Sequence, residues 1–156
     1  MSSWIDTVNA CSLFGDREVL QALLEFAVHD LGARNIGAVL VYQPDRSLTA
    51  SFDQRLAPPP GLRIMHPADL APLRHVLSQI DGAALFDDDG TLREIGVRLV
   101  PSSAAEADVE GLRGTRHTSA RRYSYDDPRA TVIAISEDGP VTVFRGGEIL
   151  GASEST

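Results

Sequence analysis

Residues 111–122 concentrate the side chains that phosphate chemistry uses. They hold four arginines, one histidine and no acid, a formal charge of +4. The other ten arginines stand against 22 acidic residues, which leaves −12 on the rest of the chain. Gly114-Thr115-Arg116-His117-Thr118-Ser119 reads as a loop turning into a helix. At such a junction unpaired N–H groups, hydroxyls and the positive helix end suit an anion. Arginine's planar fork adds bidentate contacts to phosphate oxygens. The same composition also fits a solvated helix face whose arginines pair with acids elsewhere.

Two carboxylates sit where such a site could use them. Asp81 lies between a helix-like stretch and a buried strand, followed by Gly82, where backbone can approach a ligand closely; Glu137 follows the strand expected over 130–136. A carboxylate at a strand edge can hold a divalent cation or accept a proton, and can equally cap a turn. Asp87-Asp88-Asp89 lacks the alternating ligands and downstream glutamate of a calcium loop, so it reads as turn chemistry. His29, His66 and His75 have no H-x-x-x-H or H-E-x-x-H context for zinc. Cys11 is the single cysteine and can build neither an internal disulfide nor a multi-cysteine metal site.

The chain has no lysine; all 14 basic residues are arginine. Schiff-base, phosphate-loop and kinase-type lysine chemistries are therefore excluded. Phosphate must be held by arginine, backbone N–H groups or a metal. A net charge of −8 argues against nucleic acid and anionic membranes as partners, because both recruit many basic side chains. No run approaches the ~18 apolar residues of a membrane span, and Met1-Ser2-Ser3-Trp4 lacks a signal-peptide layout, so the expectation is a cytoplasmic protein.

These residues need a scaffold, and 156 residues with 43% hydrophobic and 23% charged composition predict one globular domain. Residues 16–31 repeat apolar side chains at helical spacing, with Asp16 as N-cap and Gly32 as the stop. Residues 36–42 form a continuous apolar run of strand length, so a helix feeds a buried strand and the class is α/β. Residues 46–65, with Pro58-Pro59-Pro60, read as a connector. A short helix is expected over 69–77, then strands at 83–86 and 91–100 flanking the Asp87–Gly90 turn as a hairpin. Residues 101–109 read as a loop or ragged helical turn. Strands at 130–136 and 141–145, with turns at 137–140 and 146–147, complete the chain. The expected organisation is an N-terminal extension over 1–15, a nucleotide-binding domain over 16–150 and a tail over 151–156.

The ordered set Asp81-Gly82-Ala83, a hairpin ending Ile95-Gly96-Val97-Arg98-Leu99, Gly114-Thr115-Arg116-His117 and Ile135-Ser136-Glu137 resembles the diadenylate cyclase domain of the DNA-integrity-scanning type. Its hallmarks are a D-G-A motif and an R-H-R motif within G-T-R-H-R-x-A. The first is matched in full; the second reads Arg116-His117-Thr118 and lacks its last arginine. The resemblance implies a mixed central β-sheet flanked by helices, and condensation of two ATP into cyclic di-AMP with loss of two pyrophosphates. It implies a homo-oligomer in which two active faces meet, each protomer holding one ATP. By that likeness Asp81, Arg116 and His117 are catalytic, and Asp81 and Glu137 hold Mg²⁺ or Mn²⁺. Gly82 and Leu99 border the nucleoside, Thr115, Arg116, His117 and Ser119 grip the phosphates, and Asp81, Ala83, Gly114 and Thr118 complete the nucleotide-binding set. Arg121 and Arg122, about one turn on, are candidates to compensate for Thr118. The altered motif also fits a catalytically degenerate module of the same fold that senses a nucleotide.

Overall fold

Asp16 starts the first helix by accepting the N–H groups of Glu18 (2.8 Å) and Val19 (3.4 Å) on Oδ1, which satisfies donors the helix leaves open. In the computed structural model, which describes Trp4, Ile5, Val8 and residues 14–45, 52–53 and 59–153, this helix is α1, Arg17–Phe26. Cys11, much of the extension expected over 1–15 and part of the connector expected over 46–65 lie outside those residues. A π-helical turn, Ala27–Leu31, and a 3₁₀ turn, Gly32–Arg34, prolong α1. The chain therefore does not stop at Gly32, which keeps φ −59°; it turns at Asn35, with φ +58°. Gly32 is required for a different reason, since a Cβ there would stand 2.6 Å from the Gly139 carbonyl oxygen.

The strands are β1 (Ala38–Tyr42), β2 (Phe52–Asp53), β3 (Ala83–Phe86), β4 (Leu92–Leu99), β5 (Thr131–Ile135), β6 (Val141–Arg145) and β7 (Glu148–Ala152). They form a seven-stranded sheet in the order β2-β4-β3-β1-β5-β6-β7. β1 and β3 pair in parallel, and every other pairing is antiparallel. The parallel pair is joined through α2, Leu70–Gln79, which supplies the crossover such a pair needs. The mixed sheet with flanking helices implied by the family likeness is the architecture found.

Period-two alternation sorts the buried side chains onto two faces. Leu40, Tyr42, Ala84, Phe86, Ile133 and Ile135 pack with α1 and α2. Val39, Val41, Ala83, Leu85, Val132 and Ala134 face α4, Thr115–Asp126, through Ala120 and Tyr123. Both faces are covered, which is why β1, β3 and β5 read as unbroken apolar runs. The segment expected as a loop or helical turn contains a short helix, α3, Ser103–Asp108. Its N-cap Ser102 docks on the end of α4, donating from N to Asp126 Oδ2 at 2.9 Å.

The Asp87–Gly90 reversal joins β3 to β4 as expected. Asp87 N donates to Thr91 O and Gly90 N to Asp87 O, both at 2.9 Å. Asp89 accepts the Thr91 N–H at 3.0 Å, and the Thr91 side chain first, with that N–H second, holds the Asp89 carboxyl below the usual range. At the opposite end of β3, Gly82 has φ +100°, and a Cβ there would lie 2.8 Å from Gly96 C and 3.0 Å from Val97 N. β4 itself makes the close approach that Gly82 permits, next to an irregular register between the two strands. Gly82→Ala is expected to cost about 1–3 kcal/mol in urea unfolding, from positive φ and the backbone clash together. Gly61→Ala, whose Cβ would have no neighbour nearer than 3.8 Å, should leave the unfolding midpoint close to the parent's.

Candidate functional site

The start of α4 is built to keep its amide donors available. Gly114 is the N-cap, with φ +99° and no side-chain hydrogen bond into the helix. The first helical bond is Thr118 N to Gly114 O at 3.2 Å, so the amides of Thr115, Arg116 and His117 precede it without an intrahelical acceptor. No acid occupies the first turn to compete for the positive helix end.

Two adjoining clefts meet at this point and share Gly82, Thr115 and Arg116. One, about 410 Å³, is walled by Val39, Ala83, Val97, Leu99 and Pro101, with Ser119 adding a hydroxyl and the exposed Arg98 a guanidinium. Its chemistry suits a flat apolar group with a few polar edges. The other, about 600 Å³, is lined by Asp81, Arg113, Gly114, His117, Ser136 and Glu137. It combines cations, amides and two carboxylates, as an anion with a companion cation requires.

Arg116 crosses the start of β1 to pair with Glu137, Nη2 to Oε1 at 3.2 Å. Its side chain is 38% exposed and that of Glu137 69%, so water screens the pair and a ligand can compete for either partner. Asn35 Nδ2 donates to the Glu137 carbonyl oxygen at 2.9 Å and pins the turn that carries the carboxylate. His117 sits edge-on to Phe144, ring centroids 6.3 Å apart. Burial, and secondarily the Arg116 charge, hold its imidazole below the usual histidine value.

Asp81, Gly82, Ala83, Leu99, Gly114, Thr115, Arg116, His117, Ser119 and Glu137 therefore all border the two clefts. Thr118 borders neither; with Leu112 and Arg122 it lines an adjoining depression that shares Gly114 and Thr115 with the recess and Thr115 and Ser119 with the other cleft. Its hydroxyl accepts the Leu112 N–H at 2.9 Å and lies 2.8 Å from the Leu112 oxygen, which it can reach as donor. Arg121 and Arg122 do not face the clefts either. Arg121 Nε donates to Gly147 O at 2.8 Å and Arg122 Nε to Val109 O at 3.3 Å, bonds that turn both side chains towards carbonyls outside the two clefts.

Sequence reasoning did not single out Asn35, Gly37 or Arg113. The run Asn35-Ile36-Gly37 between a helix and a strand was the available signal for the first two. Gly37 is the seat of the ion pair, since a Cβ there would lie 2.7 Å from Arg116 Nη1. For a metal, Asp81 and Glu137 line one recess, although no group of three His, Cys, Asp or Glu side chains gathers among the described residues. Two carboxylates beside a phosphate site fit the usual habit of Mg²⁺, which completes its shell with water and substrate oxygens.

The model of the DAC family, described as DisA bacterial checkpoint controller nucleotide-binding, matches residues 25–149. The chain belongs to this family. Among solved structures it is similar to a hypothetical membrane spanning protein from Bacillus cereus, at 18% identity and TM-score 0.55, covering 88% of this chain and 70% of that one. A double mutant of DacA from Staphylococcus aureus aligns at 17% identity and TM-score 0.48, covering 85% and 84% of the two chains. No curated protein matches significantly. Among the described residues of this chain, no helix is long and apolar enough to cross a membrane.

The depressed His117 value sets a pH dependence with a definite sign. The ring resists protonation in the fold, so the stability it contributes is present above about pH 6.5 and is lost as pH falls through the folded value. An NMR titration should place the His117 ring below 6.5, and Arg116→Gln should raise it part of the way back. A parent value at or above 6.5 would contradict this environment.

Proposed function

We propose that the chain is a diadenylate cyclase, condensing two ATP into cyclic di-AMP and two pyrophosphates. The observation that carries this reading is the meeting of the largely apolar cleft with the recess of arginines, amides and carboxylates at Thr115 and Arg116, beside Gly82. A purine nucleoside fits the first and a triphosphate the second, with the ribose at their junction. Membership of a nucleotide-binding family supports the same assignment.

On this reading Val97 and Leu99 flank the base, and the first-turn amides of α4 receive phosphate oxygens. Arg116 exchanges the screened Glu137 carboxylate for a phosphate and neutralises charge as it develops. The neutral imidazole of His117 can donate one N–H without adding a cation. Asp81 stands exposed at the lip of the recess, where the 3′-hydroxyl of a second ATP, held by an apposed protomer, can approach. Asp81 takes the hydroxyl proton, the oxygen bonds to the α-phosphorus, and the bond to the β-phosphate oxygen breaks to release pyrophosphate. A second such exchange closes the ring. Asp81 and Glu137 would hold Mg²⁺ or Mn²⁺, which supplies charge neutralisation on the phosphate oxygens. Positioning and electrostatics provide most of the acceleration in such transfers, so the absence of lysine is no obstacle. The setting expected for this chemistry is cytoplasmic.

Thr118 favours one second reading, a nucleotide-sensing module that binds without turnover. Incubation of the purified chain with ATP and Mn²⁺ or Mg²⁺, followed by chromatography, separates the two. The parent is expected to form cyclic di-AMP and Asp81→Asn to form it roughly a hundredfold more slowly or not at all. ATP binding by an assembled oligomer without product supports the sensor. Absence of nucleotide binding, with Arg116→Ala indistinguishable from the parent, overturns both.

A further inference from the structure

The family motif carries an arginine where this chain has Thr118, and the fold points to where that charge has gone. Thr118 grips the main chain of Leu112 through both its N–H and its carbonyl oxygen. Leu112 also packs against the α4-side core, and Gly114 is fixed as the N-cap. Arg113 is thus carried between two anchored residues, on the wall of the recess that holds Asp81, Arg116, His117 and Glu137. It is exposed, and among the described residues its guanidinium has no hydrogen-bond or ion-pair partner.

Of the other cations of the basic segment, Arg121 and Arg122 turn towards carbonyl oxygens outside the recess, and Arg116 faces Glu137 within it in a screened pair that a phosphate can displace. Burial of His117 disfavours its charged form. Resting on the nucleotide reading above, we infer that Arg113 is a polyphosphate-binding residue that takes over the role of the missing motif arginine, with Thr118 as the positioning residue that holds its loop. The charge has moved from the helix to the loop in front of it. The side chain at 118 is held on Leu112, in a depression that meets the recess only through Gly114 and Thr115, whereas Arg113 lines the recess itself.

Calorimetry on the full chain with Mg²⁺ tests this, using ATP, inorganic tripolyphosphate and adenosine as probes. Arg113→Gln should weaken ATP and tripolyphosphate roughly fivefold to tenfold, the loss of one partly screened charge-assisted contact, and leave adenosine within twofold. Arg113→Lys should recover part of the loss. Thr118→Val should weaken ATP in the same direction, and the double variant should be no worse than the poorer single, because both act through one contact. Parent-like ATP and tripolyphosphate affinity in Arg113→Gln would overturn the inference while leaving the nucleotide reading intact. An equal loss on adenosine would make Arg113 merely structural. Losses that add in the double variant would break the link to Thr118. A parent that binds none of the three probes removes the nucleotide reading, and this inference with it.

Discussion

A Cβ atom at residue 37 would stand 2.7 Å from Arg116 Nη1 and 2.8 Å from Glu137 Cγ, so the ion pair at the start of β1 can lie where it does only over a glycine. That pair links the first turn of α4 to the β5–β6 turn across the recess. The far end of α4 is held differently. Asp127 Oδ2 accepts from Gln43 Nε2 at 2.8 Å and from the Tyr123 hydroxyl at 3.2 Å, all within the protein interior. Burial pushes the Asp127 carboxyl above its usual value and the Tyr123 phenol well above its own, with the Asp127 charge adding to the latter. A buried polar network is costly to disturb, whereas a screened surface pair is worth only about 0–1 kcal/mol. The helix is therefore anchored at its C-terminal end and adjustable at its N-terminal end, which suits the proposed exchange of a carboxylate for a phosphate.

The acidic character of the chain and its anion site are compatible because the two act over different distances. At physiological ionic strength, charges separated by more than about 8 Å of water are largely screened. The −12 carried outside residues 111–122 sets solubility and discourages contact with nucleic acid. Within the recess, Arg113, Arg116 and the open amides of α4 face Asp81 and Glu137, so charges of both signs set the local potential. Amide donors cost no side-chain ordering, so a phosphate can be held by backbone and arginine without lysine, as the proposed function requires.

Much of the fold was legible because each face of the sheet is covered. Runs such as Ala38–Tyr42 and Thr131–Ile135 announce themselves when both faces are dry, and Asp16 marks α1 through hydrogen bonds local in sequence. The departures have tertiary causes. Gly32 looked like a helix stop, yet it is a glycine because the Gly139 carbonyl approaches it, and Asn35 makes the turn. Gly82 looked like a ligand contact alone, and its conformation is imposed by Gly96 across the strand pair. In the site, Asp81, Arg116 and Glu137 could be singled out from their types and positions. Nothing local distinguished Arg113 from Arg121 and Arg122, because the carbonyls of Gly147 and Val109 that occupy the latter two come from elsewhere in the chain.

The central claim is that nucleotide phosphates meet the first turn of α4 while the base enters the cleft beside β4. Backbone amide NMR of the isotope-labelled chain, titrated with ATP and Mg²⁺, tests this most directly. The account predicts saturable shifts at Thr115, Arg116 and His117, accompanied by Gly82, Ala83 and Leu99. Saturable shifts confined to another surface, such as the cleft around Asp16, Asp88 and Arg129, with the α4 amides unmoved, would contradict it.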